Sequence, residues 1–206
     1  MSNPTIYVID DDDAARDGLV FLLTTSNLLV RDYPSGRAFL EDIRSAPRGC
    51  VITDLSMPEM SGIELLHEIK ALGIDWPVIV VTGQGDVTLS VQALRAGAAD
   101  FIEKPYDADA LLNAVVNAMQ ESDGATNIAR RIEVEQKLAM LSIEERRVFD
   151  GLTNGQSTAS IAQGLQLVPR AVEIHRANLM TKMQASSLSD LVRMALFSPV
   201  EPPAGE

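Results

Sequence analysis

Along the first 121 residues, short apolar runs alternate with stretches whose apolar positions recur every three or four residues. The runs Thr5–Ile9, Leu28–Asp32, Cys50–Thr53, Val78–Thr82 and Ala99–Ile102 predict strands. The last four are continuous and rich in Val and Ile, a pattern that predicts burial on both faces. Helical spacing covers Ala14–Thr24, Ser35–Arg44, Ser61–Leu72, Asp86–Ala96 and Asp107–Met119, with Ile63, Leu66, Ile69 and Leu72 on one stripe. Ser35, Ser61 and Asp107 suit N-caps, because a short oxygen-bearing side chain accepts from the free N–H groups of a first turn. Strand and helix alternating in this way predict a doubly wound α/β fold with a five-stranded parallel sheet.

The pattern then changes. Ser122-Asp123-Gly124-Ala125-Thr126-Asn127 is small, polar and breaker-rich, and marks a boundary. Ile128, Ile132, Glu135 and Leu138 fall on one helix face beyond it, as a helical linker or a short coiled coil. From Leu141 onward the periodicity is helical only, over Ile143–Thr153, Thr158–Leu165, Pro169–Met183 and Leu188–Phe197. Ser142 with Glu145 three residues on forms a capping box. The expected division is residues 1–122, a helical linker at 123–141, and a small all-α four-helix domain at 142–206. The Pro-rich tail Ser198–Glu206 is expected to fray.

Charge sharpens the division. The net charge is −12; residues 1–127 hold 20 acidic and 8 basic side chains, and residues 128–206 hold 9 of each. The first part should repel DNA and the second should not, so the two parts should serve different partners. No run of apolar residues is long enough to span a membrane. The N-terminus lacks the pattern of a secretory signal. Cys50 is the only cysteine and sits in an apolar run, so it reads as core, and the chain as cytoplasmic.

Candidate chemistry lies at the ends of the strands. Asp10 to Asp13 follow the first apolar run and Asp54 ends the third. In an open parallel sheet, ligands bind at the carboxyl ends of the strands. Carboxylates converging there would repel each other, which predicts a hard cation, a reacting phosphate, or both. A cation such as Mg2+ takes oxygen ligands and phosphate oxygens, leaving one carboxylate as the nucleophile toward phosphorus. Thr82 and Lys104, each ending a further strand, would meet the phosphoryl oxygens. Asp12 and Asp13 suit the start of a helix.

Val8-Ile9-Asp10-Asp11, Thr53-Asp54-Leu55-Ser56-Met57-Pro58, Ser61-Gly62, Val81-Thr82-Gly83 and Phe101-Ile102-Glu103-Lys104-Pro105 together resemble the receiver domain of bacterial response regulators, a flavodoxin-like fold. The resemblance implies that Asp54 is the phosphoacceptor. It implies that Asp10, Asp11, Asp54 and the Ser56 backbone carbonyl hold Mg2+ or Mn2+. Thr82 and Lys104 are implied in catalysis, and Thr82 and Phe101 in the activation switch together with Pro105. Lys104-Pro105 is implied to be a cis peptide, and Gln84 stands where the family tunes hydrolysis.

In the second part, Leu141-Ser142, Glu145-Arg146-Arg147-Val148, Ile161-Ala162 and Val172 to Met183 resemble the LuxR-type helix-turn-helix of the NarL/FixJ subfamily, and closely its FixJ-like members. Gly85-Asp86-Val87 adds to that likeness. The resemblance implies Thr158–Leu165 as positioning helix and Pro169–Met183 as recognition helix in the major groove. Arg170, His175, Arg176, Asn178 and Lys182 are the candidate DNA contacts, opposite an apolar stripe of Val172, Leu179 and Met183. Val168, Ala171 and Ser160 depart from the family pattern, which places a hydroxyl or a basic residue at these positions. Val168 in particular offers no capping oxygen before Pro169.

The expected function is a response regulator phosphorylated on Asp54 by a sensor histidine kinase. Phosphorylation would change the surface near Leu89–Ala96 and Asp107–Met119, which the resemblance implies mediates homodimerisation or releases the second domain, and so control binding to promoter DNA and transcription, with RNA polymerase a further partner. The expected chemistry is limited to its own aspartyl phosphorylation and dephosphorylation. The rival is a phosphate sink or protein-interaction regulator whose DNA-binding domain has reduced competence. A phosphoaspartyl hydrolase lacks its second acid/base carboxylate, and there is no Walker-type phosphate loop. His67 and His175 have no partner at metal-ligand spacing.

Overall fold

The computed structural model describes residues 5–83, 87–120 and 126–197. Gln84, Gly85-Asp86, the start of the boundary segment at 121–125 and the tail from Ser198 lie outside the described residues. The chain separates into two compact units, Met1–Gly85 with Ala96–Ser122, and Asp86–Arg95 with Asp123–Glu206.

The first unit carries five parallel strands, β1 (Thr5–Ile9), β2 (Leu29–Tyr33), β3 (Gly49–Asp54), β4 (Val78–Thr82) and β5 (Asp100–Glu103), in the order β2-β1-β3-β4-β5. This is a doubly wound order whose direction of winding reverses between β1 and β3. Asp10 and Asp54 lie at the carboxyl ends of those two strands. Alternation along β1 explains the layers. Ile6 and Val8 join Leu19 and Leu23 of α1 (Asp13–Thr25), and Leu111, Ala114 and Val115 of α5 (Ala108–Gln120), in one core. Tyr7, on the other face, meets Phe39 of α2 (Gly36–Asp42) at 5.4 Å between ring centroids and stacks on Trp76 at 5.2 Å. The helix α3 (Gly62–Ala71) buries Leu65, Leu66 and Ile69.

The expectation of burial fails at two strands. In β2, Leu29 is 56% exposed and only Tyr33 is buried; in β5 no residue is fully buried. Both are edge strands, so each lacks a neighbour on one side. Cys50 is buried in β3, and burial pushes its thiol up to about 12, which leaves it a core side chain with no thiolate chemistry at neutral pH.

The second unit includes α4 (Val87–Arg95), α6 (Thr126–Ala139), α7 (Ile143–Thr153), α8 (Thr158–Leu165), α9 (Pro169–Met183) and α10 (Leu188–Phe197). The expected helix face of α6 holds at Leu138, which enters the core, but not at Ile132, which is 52% exposed; Val134, four residues before Leu138, enters the core instead. They pack with Val148, Phe149 and Leu152 of α7, Ile161 of α8, Val172, Leu179 and Met183 of α9, and Leu191 of α10. The predicted linker helix is therefore part of this core. Gly151 permits the close approach of α7 and α8, since a Cβ there would lie 2.7 Å from Ile161 Cγ1. Among the described residues, no helix is long and apolar enough to cross a membrane.

Candidate functional site

The first candidate site is assembled from three strand ends. Lys104 follows β5, and its backbone N–H donates to the Thr82 carbonyl at 2.7 Å, which fixes it beside β4. Its ammonium donates to Asp54 Oδ1 at 2.7 Å and to Asp10 Oδ2 at 2.9 Å. The second Asp54 oxygen accepts from the Ser56 backbone N–H at 2.7 Å, and Asp10 Oδ1 accepts from the Asp12 N–H at 3.0 Å. The Asp10 side chain is 3% exposed and that of Asp54 is 11% exposed. Burial by itself would lower the Lys104 pKa. The hydrogen bonds and negative charges of Asp54 and Asp10 outweigh it and hold the ammonium above its ordinary value.

The expected carboxylate trio is only partly brought together. Lys104 links Asp10 and Asp54, while Asp11 is exposed. Among the described residues, no group of three or more Asp, Glu, His or Cys stands close enough to hold a metal ion. The lysine supplies the counter-charge that the sequence pattern had assigned to a cation. The donor chemistry nevertheless suits a hard dication. Asp10, Asp11, Asp54 and the Ser56 carbonyl offer only oxygen, and three carboxylates against one ammonium leave an excess of negative charge.

Thr82 is buried at the end of β4 and Phe101 is half-buried in β5. The Lys104–Pro105 peptide is cis. Asp12 is the N-cap of α1, accepting from Ala14 and Ala15; the N–H groups of Ala15 and Ala14 hold its carboxyl below the usual range. Gly62 brings α3 against the loop that follows β3, because a Cβ there would run into the Asp54 carbonyl oxygen. Its N–H donates to the Leu55 carbonyl at 3.0 Å.

The second candidate surface lies on α9. Val172, Leu179 and Met183 are buried, as expected. Arg170 and Asn178 are exposed on the opposite face, together with Glu173, Ile174 and Thr181, which sequence reasoning did not single out. Arg176 is exposed but lies four residues after Val172, on the flank of the buried stripe; His175 is half-buried on the other flank. Lys182 departs from the expected pattern. Its ammonium donates to Glu145 Oε2 at 2.6 Å and to the Met140 carbonyl at 3.3 Å, so it bonds inward to α7. The reason is position: Lys182 comes three residues after the buried Leu179, which turns it toward the helix packing. Val168 caps α9 with no side-chain hydrogen bond.

Sequence reasoning also missed Arg16. All three of its guanidinium nitrogens are engaged around the acidic run. The spacing Asp13 to Arg16, three residues on a helix start, was the available signal.

Comparison with known proteins matches two parts of the chain to two families. Residues 6–116 match the response regulator receiver domain, and residues 139–195 match the luxR family of bacterial regulatory proteins. The transcriptional regulatory protein FixJ of Azorhizobium caulinodans is 49% identical over 199 residues, covering 96% of this chain and 94% of that protein. FixJ of Rhizobium meliloti is 41% identical, covering 95% and 97%. The crystal structure of full-length FixJ from B. japonicum superposes with a TM-score of 0.58 at 42% identity, covering 96% of this chain and 98% of that one. The chain belongs to the two-component response regulators, as a FixJ-type member with a receiver domain and a LuxR-type helix-turn-helix DNA-binding domain.

Proposed function

We propose that Asp54 accepts a phosphoryl group from a sensor histidine kinase and that the resulting phosphoaspartate drives homodimerisation and promoter binding. The observation that carries this reading is the Lys104 ammonium shared between Asp54 and Asp10 at the ends of three strands. A carboxylate oxygen of Asp54 attacks phosphorus, forming an O–P bond as the P–N bond of the kinase phosphohistidine breaks. The leaving imidazole takes the electron pair and then a proton. Lys104 is placed to follow the charge from carboxylate to phosphoryl oxygen, and the Ser56 N–H steadies the other carboxylate oxygen. Asp10, Asp11, Asp54 and the Ser56 carbonyl would hold Mg2+ or Mn2+, which when bound offsets the charge on the phosphoryl oxygens.

The phosphoryl group adds about two negative charges and three acceptor oxygens. In this reading the Thr82 hydroxyl turns toward it and Phe101 follows, with Pro105 part of the same switch. Water attack on the same phosphorus returns Asp54 and inorganic phosphate. Two copies then place Arg170, Arg176 and Asn178 against DNA half-sites, with His175 at the edge of that surface and RNA polymerase recruited afterwards. Lys182 has its present partner in Glu145, so a role at DNA would require it to leave a buried carboxylate.

The test is a mobility shift on a site enriched from random DNA, with and without a small-molecule phosphodonor and Mg2+. Wild type should tighten on phosphorylation and Asp54→Asn should not. Equal affinity in all four conditions would overturn the switch. Phosphorylation with no enriched DNA would favour the phosphate sink, a reading to which the uncapped Val168 gives some support.

A further inference from the structure

We infer that Arg16 is a positioning residue for the cation-binding acids, acting through the backbone of the acidic run. Its Nη1 donates to the Asp10 carbonyl at 2.8 Å, its Nη2 to Asp13 Oδ1 at 2.5 Å, and its Nε to Asp32 Oδ2 at 3.1 Å. The side chain is 12% exposed although it carries a full charge. Three acceptors in three directions match the donor fork of a guanidinium and exceed what one ammonium can span.

The Asp10 carbonyl belongs to the peptide that joins Asp10 to Asp11. Holding that oxygen fixes the peptide plane, and with it the direction in which Asp11 leaves the chain. The Asp10 N–H donates to the Tyr33 carbonyl at 3.3 Å, and Asp32 lies beside Tyr33 in β2. Arg16 therefore ties three things together: the start of α1 through Asp13, the acidic loop through Asp10, and the end of the edge strand through Asp32. Outer contacts of this kind orient ligand residues, and their loss typically weakens metal affinity about 10- to 100-fold.

The sign of the effect separates positioning from simple electrostatics. Arg16 is a cation beside a cation site. On Coulomb grounds alone, removing it would tighten binding of a divalent ion. As a positioning residue, its removal weakens binding. The inference rests on the proposed cation-holding role of Asp10 and Asp11.

The experiment is a Mn2+ titration of the unphosphorylated full chain, following the free ion by electron paramagnetic resonance. Wild type, Arg16→Ala, Arg16→Lys, Asp10→Asn and Leu19→Ala are compared. Leu19→Ala lowers stability from the adjoining core without touching the acids. Arg16→Ala should weaken Mn2+ binding about tenfold, Arg16→Lys should restore little of it, and Leu19→Ala should bind as wild type. Unchanged or tighter binding in Arg16→Ala overturns the inference. So does equal weakening in Leu19→Ala, which would make the effect one of general stability. If Asp10→Asn binds as well as wild type, the cation-site reading itself falls, an outcome distinct from the other two.

Discussion

Glu145 does two things with one carboxylate. Its Oε2 accepts from the Ser142 N–H at 2.7 Å, closing the capping box of α7, and from the Lys182 ammonium at 2.6 Å, tying that helix to α9. The Lys182 hydrogen bond and the Ser142 N–H hold its carboxyl below the usual range. A group whose folded pKa is depressed adds stability above its unfolded value, about 4.3 for Glu, and loses it as pH falls through the lower folded value. Glu145→Gln should therefore cost about 2 kcal/mol at neutral pH, the scale of a hydrogen bond to a charged group. Its deficit against wild type should shrink as the pH drops below about 4. Urea unfolding of both proteins across that range checks it, and a deficit constant with pH would mean that packing, not the pair, sets the cost. Glu145's role as a cap was legible from the pattern; its pairing with Lys182 was not. Glu145 read as a cap and Lys182 as a DNA contact, because a sequence shows helical spacing but not which helix lies opposite.

Caps and tight approaches decide how well the elements hold. Ser61 and Ser142 each close a full capping box, while α9 starts from Val168 with none. Val168→Ser should raise the unfolding free energy by about 1 kcal/mol, read from thermal unfolding. No gain would mean that the hydroxyl does not reach the second or third N–H of α9. Gly62 sits at a tighter place. A methyl group at this position would collide with the Asp54 carbonyl oxygen, so Gly62→Ala must shift either α3 or the loop after β3. Phosphorylation of Gly62→Ala by a small phosphodonor should slow severalfold, and a wild-type rate would show that α3 yields instead. These elements were largely legible. The strands Thr5–Ile9 and Val78–Thr82 and all four helices from Ile143 onward stand at the predicted limits, because periodicity, caps and breakers agree there. The errors came where neighbours decide: β2 reads as buried yet is an edge, and Ile132 is exposed on the helix face whose Leu138 enters the core. At the candidate site, the strand-end acids, Thr82 and Lys104 were visible in the sequence. Lys104 as the bridge between Asp10 and Asp54, and Arg16 as the link from the Asp10 carbonyl to Asp13 and Asp32, depend on side-chain reach between elements.

At the scale of the whole molecule, charge sets how this regulator meets DNA. The −12 lies in residues 1–127 and residues 128–206 are neutral. Non-specific attraction to a polyanion is therefore weak, and binding has to come from a few placed cations. On α9 those are Arg170 and Arg176, since Lys182 is paired with Glu145. Two copies on a paired site would present four such arginines. Each phosphate contact contributes about −0.9 to the slope of log K against log salt, so the phosphorylated protein should show about −3 to −4. Arg176→Ala should make the slope shallower by about 2, one contact from each copy. Fluorescence anisotropy on a selected site, from low to physiological salt, measures both values. A slope steeper than about −5 would mean that cations besides Arg170 and Arg176 reach the phosphates. Lys182 is the first to test, because freeing it from Glu145 trades an ion pair with a buried carboxylate for a DNA contact. In that case Lys182→Met would flatten the slope as much as Arg176→Ala; with the pair intact in the complex, it would cost stability and leave the slope unchanged.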